Sequence, residues 1–131
     1  MSTFAVFGRS LVAQRIAAER MVPTYCKDLK RVLTQLEWRE RVEELAREKF
    51  ARARATKISP MFDAPQFCGD WIRAAAGNPE IDPVGVFAHT SIIKDGAHLR
   101  DEKTGRIKYE WKSVDMAQWL DVSLLSHKEA A

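Results

Sequence analysis

"RIKYEWK", Arg106–Lys112, decides the fold class. Its residues alternate, with Ile107, Tyr109 and Trp111 on one side and Lys108, Glu110 and Lys112 on the other. Successive side chains of a strand point to opposite faces, so this pattern predicts a half-buried antiparallel strand. A second β-rich run, Val84–Lys94, lies upstream. The polar stretch "KDGAHLRDEKTG" joins the two and carries turn signals at Asp95-Gly96 and Thr104-Gly105. The pair predicts a C-terminal hairpin, and "TFAVFG" adds a short strand near the start.

Helical signals fill most of the remainder. Ser10 is placed to cap a helix reaching about Met21, with Leu11, Val12, Ile16, Ala17 and Ala18 at helical spacing and Pro23 beyond its end. "TQLE", Thr34–Glu37, has the form of a capping box and predicts a helix to about Ala55. Trp38, Val42, Leu45, Ala46 and Ala53 share one arc of it, with Phe50 at the edge. Glu37–Arg41, Glu43–Arg47 and Glu48–Arg52 are acid-before-base pairs on the other arc. In "ISPMFDAPQF", Ile58–Phe67, Asp63 reads as a cap with Gln66 three residues on, and Pro65 falls in the first turn. Phe62 and Phe67 take the spacing of a hydrophobic staple. This stretch reads first as a joint, and second as a joint that presents Met61 and Phe62 to a partner. A last helix is expected from Ser113 or Asp115 through Met116, Trp119, Leu120 and Leu124. Residues 25–33 fit either an extended edge or a poor helix. The order predicts one α+β domain over residues 1–131, about four helices on a small antiparallel sheet that includes the C-terminal hairpin.

Composition bounds the function. The 131 residues are 46% hydrophobic and 30% charged, the profile of a globular chain. No apolar run approaches the length of a membrane span and no leader pattern opens the chain, so a cytoplasmic protein with reduced Cys26 and Cys68 is expected. The net charge of +3 is uneven. Residues 1–60 hold 13 Lys/Arg and 7 Asp/Glu, and residues 61–131 hold 8 and 11.

Chemistry-bearing patterns are sparse. His89, Asp95 and His98 lack any standard metal-ligand spacing, no partner groups specify a nucleophilic Cys26 or Cys68, and Cys68, on the second turn of its helix, reads as a core thiol. A non-enzymatic protein without cofactor or metal is expected. The run Arg47–Lys57, with Arg47, Lys49, Arg52, Arg54 and Lys57, has the charge to contact phosphates. Asp95, Asp101 and Glu102 form an acidic set able to compete for a basic groove. Trp38, Trp71, Trp111 and Trp119 all fall on predicted inward faces and read first as core, the alternative being that one or two form an exposed contact patch.

Three stretches, "FAVFG" at Phe4–Gly8, "LTQLEW" at Leu33–Trp38 and "ISPMFDAPQF", resemble a group of small proteins encoded on conjugative plasmids and integrative elements of proteobacteria. The similarity spans roughly residues 4 to 73. The resemblance implies a mobile-element setting, in which small proteins neutralise host defences such as CRISPR surveillance complexes, assist DNA transfer or regulate genes. The expectation is a protein inhibitor of a host nucleic-acid-targeting defence that binds through Asp95, Asp101, Glu102, Met61 and Phe62. The alternative is a DNA- or RNA-binding accessory protein using the basic run.

Overall fold

The computed structural model describes residues 2–126. In chain order the elements are β1 (Thr3–Ser10), α1 (Leu11–Met21), β2 (Tyr25–Cys26), β3 (Arg31–Val32), α2 (Gln35–Arg52), β4 (Thr56–Lys57), α3 (Pro65–Ala75), β5 (Ile81–Ser91), β6 (Ile93–Lys94), β7 (Ala97–His98) and β8 (Tyr109–Val114). The α+β class is therefore as expected. The chain divides into two compact units, Arg9–Arg54 and the residues on either side of it.

In Arg9–Arg54, two helices pack through Leu11, Ala18, Val42 and Ala46, with Val22, Trp38, Leu45 and Phe50 against them. Ser10 caps α1 by accepting from the Ala13 amide. The expected capping box on α2 is present: the Glu37 amide donates to the Thr34 hydroxyl at 3.2 Å, and the Thr34 amide donates to the Glu37 carboxylate at 2.9 Å. Arg31 grips the same carboxylate with both guanidinium arms, at 2.8 and 2.9 Å. Glu37 thus pairs with Arg31 in place of the expected Arg41. Glu43 pairs with Arg47 as anticipated and also with Arg15. Residues 25–33 form a small hairpin, with Tyr25 opposite Val32 and Cys26 opposite Arg31. Lys30 makes its turn with a positive φ of 55°.

The other unit is a sheet of order β4-β1-β5-β8 with α3 on one face. Val6, Cys68, Ile72, Val86, Met116 and Leu120 form its buried centre. The β5–β8 pairing runs antiparallel from Val86–Val114 to Ser91–Tyr109. Gly8 is required by close approach: a Cβ there would sit 2.2 Å from the Asp82 carbonyl oxygen.

Two helix expectations are corrected. The cap of α3 is Ala64, not Asp63, and no side chain caps the helix. Phe62 exchanges both backbone hydrogen bonds with Phe4, which holds the chain extended past Asp63. "ISPMFDAPQF" is thus a sheet edge leading into a helix, and the Phe62 and Phe67 rings still meet, 6.4 Å apart. The expected C-terminal helix is replaced by separate turns. β8 continues to Val114, Asp115 accepts from the Ala117 amide, and Asp121 accepts from the Ser123 amide to start a 3-10 turn at Val122–Leu124. Each aspartate starts a turn by capping it, and the extended backbone of Asp121, at ψ 110°, breaks the first turn from the second. Among the described residues there are three α-helices, against about four expected.

Arg31, together with the Thr34 amide and hydroxyl, lowers the Glu37 carboxyl from 4.5 to about 2. A depressed acid stabilises the fold above its unfolded pKa and loses that contribution as pH falls through the folded value. Glu37→Gln is therefore expected to lower stability at neutral pH, with the gap to the parent chain closing between about pH 4.5 and 2. Urea midpoints measured across that range check this, and a pH-independent gap contradicts it.

Candidate nucleic-acid interface

Alternation along β5 and β8 gives the sheet two different faces. Val86 and Val114 join the α3 side. Phe87, His89, Tyr109 and Trp111 belong to the opposite row, because directly paired residues share a face. There they form a continuous series of rings. Phe87 packs on Phe7 with centroids 4.9 Å apart, and Phe7 on Trp111 at 4.9 Å, both edge-on. Trp111 then meets His89 at 4.6 Å, and His89 stacks on Tyr109 at 4.8 Å and 20°. These spacings are those of favourable aromatic pairs. Tyr109 is 51% exposed and Trp111 39%. Trp111 therefore corrects the expectation of an inward-facing tryptophan, whereas Trp38, Trp71 and Trp119 do pack against buried clusters.

Lys57 lies directly opposite Phe7 in the β1–β4 register, so this exposed base shares the aromatic face. At the other side, β5 and β8 run on into a ribbon made of two short hairpins, 93–98 and 100–107, that branch at Ile92, Leu99 and Lys108. The Ile92 amide donates to the Lys108 carbonyl, and Leu99 bonds to both residues. β6 and β7 pair around Asp95-Gly96, whose positive φ values of 55° and 80° match a tight hairpin turn. Arg100 pairs with Ile107. Residues 92–108 carry five Lys/Arg (Lys94, Arg100, Lys103, Arg106, Lys108) against three Asp/Glu, a net +2.

The sequence-predicted acidic set sits within this basic ribbon. Asp101 is committed to the turn, since one carboxylate oxygen accepts from the Lys103 and Thr104 amides at 2.7 and 3.1 Å. Those amides hold its carboxyl below the usual range. Asp95 is a turn residue, and Glu102 is exposed beside Asp101. Met61 is exposed and Phe62 packs on the core cluster, so only one of that pair is displayed.

The predicted basic run is divided. Arg47, Lys49, Arg52 and Arg54 fall in the Arg9–Arg54 unit and Lys57 in the other. Arg47 is engaged by Glu43 at 3.0 Å, and Phe50 is turned to the helix pair.

Both thiols are buried, Cys26 at 5% exposure and Cys68 completely, and burial pushes the Cys68 pKa up to about 11. Cys26 borders a cleft with Pro23, Tyr25, Lys27, Asp28 and Arg41. Its thiol is lowered chiefly by the Leu29 amide, with help from the Asp28 amide and Arg41. His89 lies in the ring series and His98 on β7, and among the described residues no group of three or more His, Cys, Asp or Glu is placed to hold a metal. Among those residues, too, no helix is long and apolar enough to cross a membrane.

The aromatic row was the feature that sequence reasoning missed. Its signal was present, since Phe87 and His89 alternate with Val86 and Ala88 just as Tyr109 and Trp111 alternate with Glu110 and Lys112. No family model, curated protein or solved structure matches this chain.

Iodoacetamide at mildly alkaline pH is expected to modify Cys26, which borders a cleft, before the fully enclosed Cys68, as read by mass spectrometry of the digested protein. Equal rates, or Cys68 first, contradict the assignment.

Proposed function

We propose that this chain is a non-enzymatic nucleic-acid-binding accessory protein of a mobile genetic element. One observation carries the reading: a half-exposed row of aromatic rings that runs into a net-basic β-ribbon. Rings offer stacking surface to bases, and Lys and Arg neutralise phosphates while releasing counterions. The overall charge of +3 adds a general attraction for polyanions. The mobile-element setting rests on the resemblance carried by "FAVFG", "LTQLEW" and "ISPMFDAPQF".

Electrostatics should dominate affinity. Replacing Lys94, Arg106 and Lys108 together by Gln is expected to weaken binding of a labelled oligonucleotide and to flatten its salt dependence, by about one unit of slope for each phosphate no longer neutralised. Fluorescence anisotropy across a salt series checks this, and an unchanged slope places the phosphate-binding groups elsewhere.

A second reading is favoured by a different surface. In the Arg9–Arg54 unit, Val12, Ile16, Tyr25, Val32 and Leu36 are all at least half exposed. Val12 and Ile16 stand one turn apart on α1 and Tyr25 faces Val32 across β2–β3, and such adjoining apolar pairs suit a protein partner. On this reading the chain inhibits a host nucleic-acid-targeting defence, such as a CRISPR surveillance complex, and Asp95, Asp101 and Glu102 compete for its basic groove. Unchanged affinity after charge reversal at those three positions would contradict that competition.

A further inference from the structure

We infer that the outer face of β5 and β8 is a stacking site for unpaired nucleobases, so that the chain selects single strands over duplexes. The inference deepens the nucleic-acid reading and rests on it. Duplex bases are already stacked on each other and present their faces to no side chain, whereas single-strand bases can lie on aromatic rings.

The geometry of the face suits this. The His89–Tyr109 pair is nearly parallel, at 20°, and Tyr109 forms the exposed end of that stack. A base placed against Tyr109 continues a stack that the protein has already built. The exposed part of Trp111 offers a second ring two pairs along the strands on the same face, opposite His89. The rings are held by two paired strands and by Phe7, so binding orders few side chains.

Charge flanks the rings on both sides. Lys57 stands on the same face at the Phe7 side. Beyond the Tyr109 end Lys94, Arg106 and Lys108 are all exposed, with Lys108 on the opposite face from Tyr109 by the strand's alternation, so they add long-range field rather than contacts on the ring face. A strand laid across the face therefore has bases on the rings, Lys57 on the same face at the Phe7 side, and the long-range field of the exposed lysines and arginine beyond the Tyr109 end. The chemistry is that of a polyphosphate with unpaired bases, which single-stranded DNA and RNA share; the 2′-hydroxyl separates them.

The test is fluorescence anisotropy with labelled oligothymidylate, oligouridylate of the same length and a matched DNA duplex. The variants are Tyr109→Ala and Tyr109→Phe, at a position exposed enough for both to fold. The parent chain is expected to bind at least one single strand more tightly than the duplex. Tyr109→Ala should weaken that binding by about tenfold, the typical effect of losing one stacked base. The salt slope should stay unchanged, and Tyr109→Phe should retain parental affinity because the ring remains. Equal single-strand and duplex affinity, or Tyr109→Ala binding like the parent, overturns the stacking site while the nucleic-acid reading stands. Failure of the parent chain to bind any of the three probes overturns both.

Discussion

The two-residue period of β5, locked in register with β8, is the constraint on which this sheet and its candidate site depend. Val86 is fully enclosed and Phe87, next to it, belongs to the ring row. A slip of one residue would move Phe87 and His89 toward α3 and put Val86 on the outer face. Losing one buried aliphatic side chain from such a core typically costs about 2–5 kcal/mol, a large share of a domain's stability. Packing under α3 therefore determines which rings face outward. Gly8 adds a second lock, because the backbone of β1 meets Asp82 and Pro83 too closely for any side chain.

The ribbon follows from turn chemistry, and its charge from what turns leave over. Asp95-Gly96 closes β6 on β7, and the Asp101 carboxylate closes the next turn through two amides. Acids used in this way have one oxygen occupied. Arg100 donates to the Gly105 carbonyl, and Lys94, Lys103, Arg106 and Lys108 are exposed. An exposed ion pair contributes about 0–1 kcal/mol, so the ribbon's charges matter less for stability than for attracting polyanions. Stacking then adds about 1–3 kcal/mol per base, without the same sensitivity to salt. Charge would bring a strand to the face, and the rings would select its unpaired state.

Local signals in the sequence translated well. Ser10 and Thr34 cap the helices they were expected to cap, because capping depends on residues three apart. Asp95-Gly96 makes the expected turn for the same reason. The periodicity of Arg106–Lys112 revealed a strand, yet it could not say which row is covered: Tyr109 and Trp111 are apolar enough for a core, and their exposure is set by where α3 lies. Asp63 failed as a cap because a long-range pairing between Phe4 and Phe62 holds the backbone extended. The last helix failed because Asp121 is extended, at ψ 110°, as the cap of the next turn and so interrupts it. The division at Arg9 and Arg54 has no signature in composition, since β1 crosses it without a break. The candidate site was thus legible as residues but not as a surface.

The most direct measurement is an NMR titration that follows the ring resonances of His89, Tyr109 and Trp111 while a single-stranded oligonucleotide is added. The account predicts saturable shifts centred on these three rings, together with the backbone amides of Ser91 and Lys108. Shifts centred instead on Val12, Ile16, Tyr25, Val32 and Leu36, or no saturable shift at the rings, would contradict it.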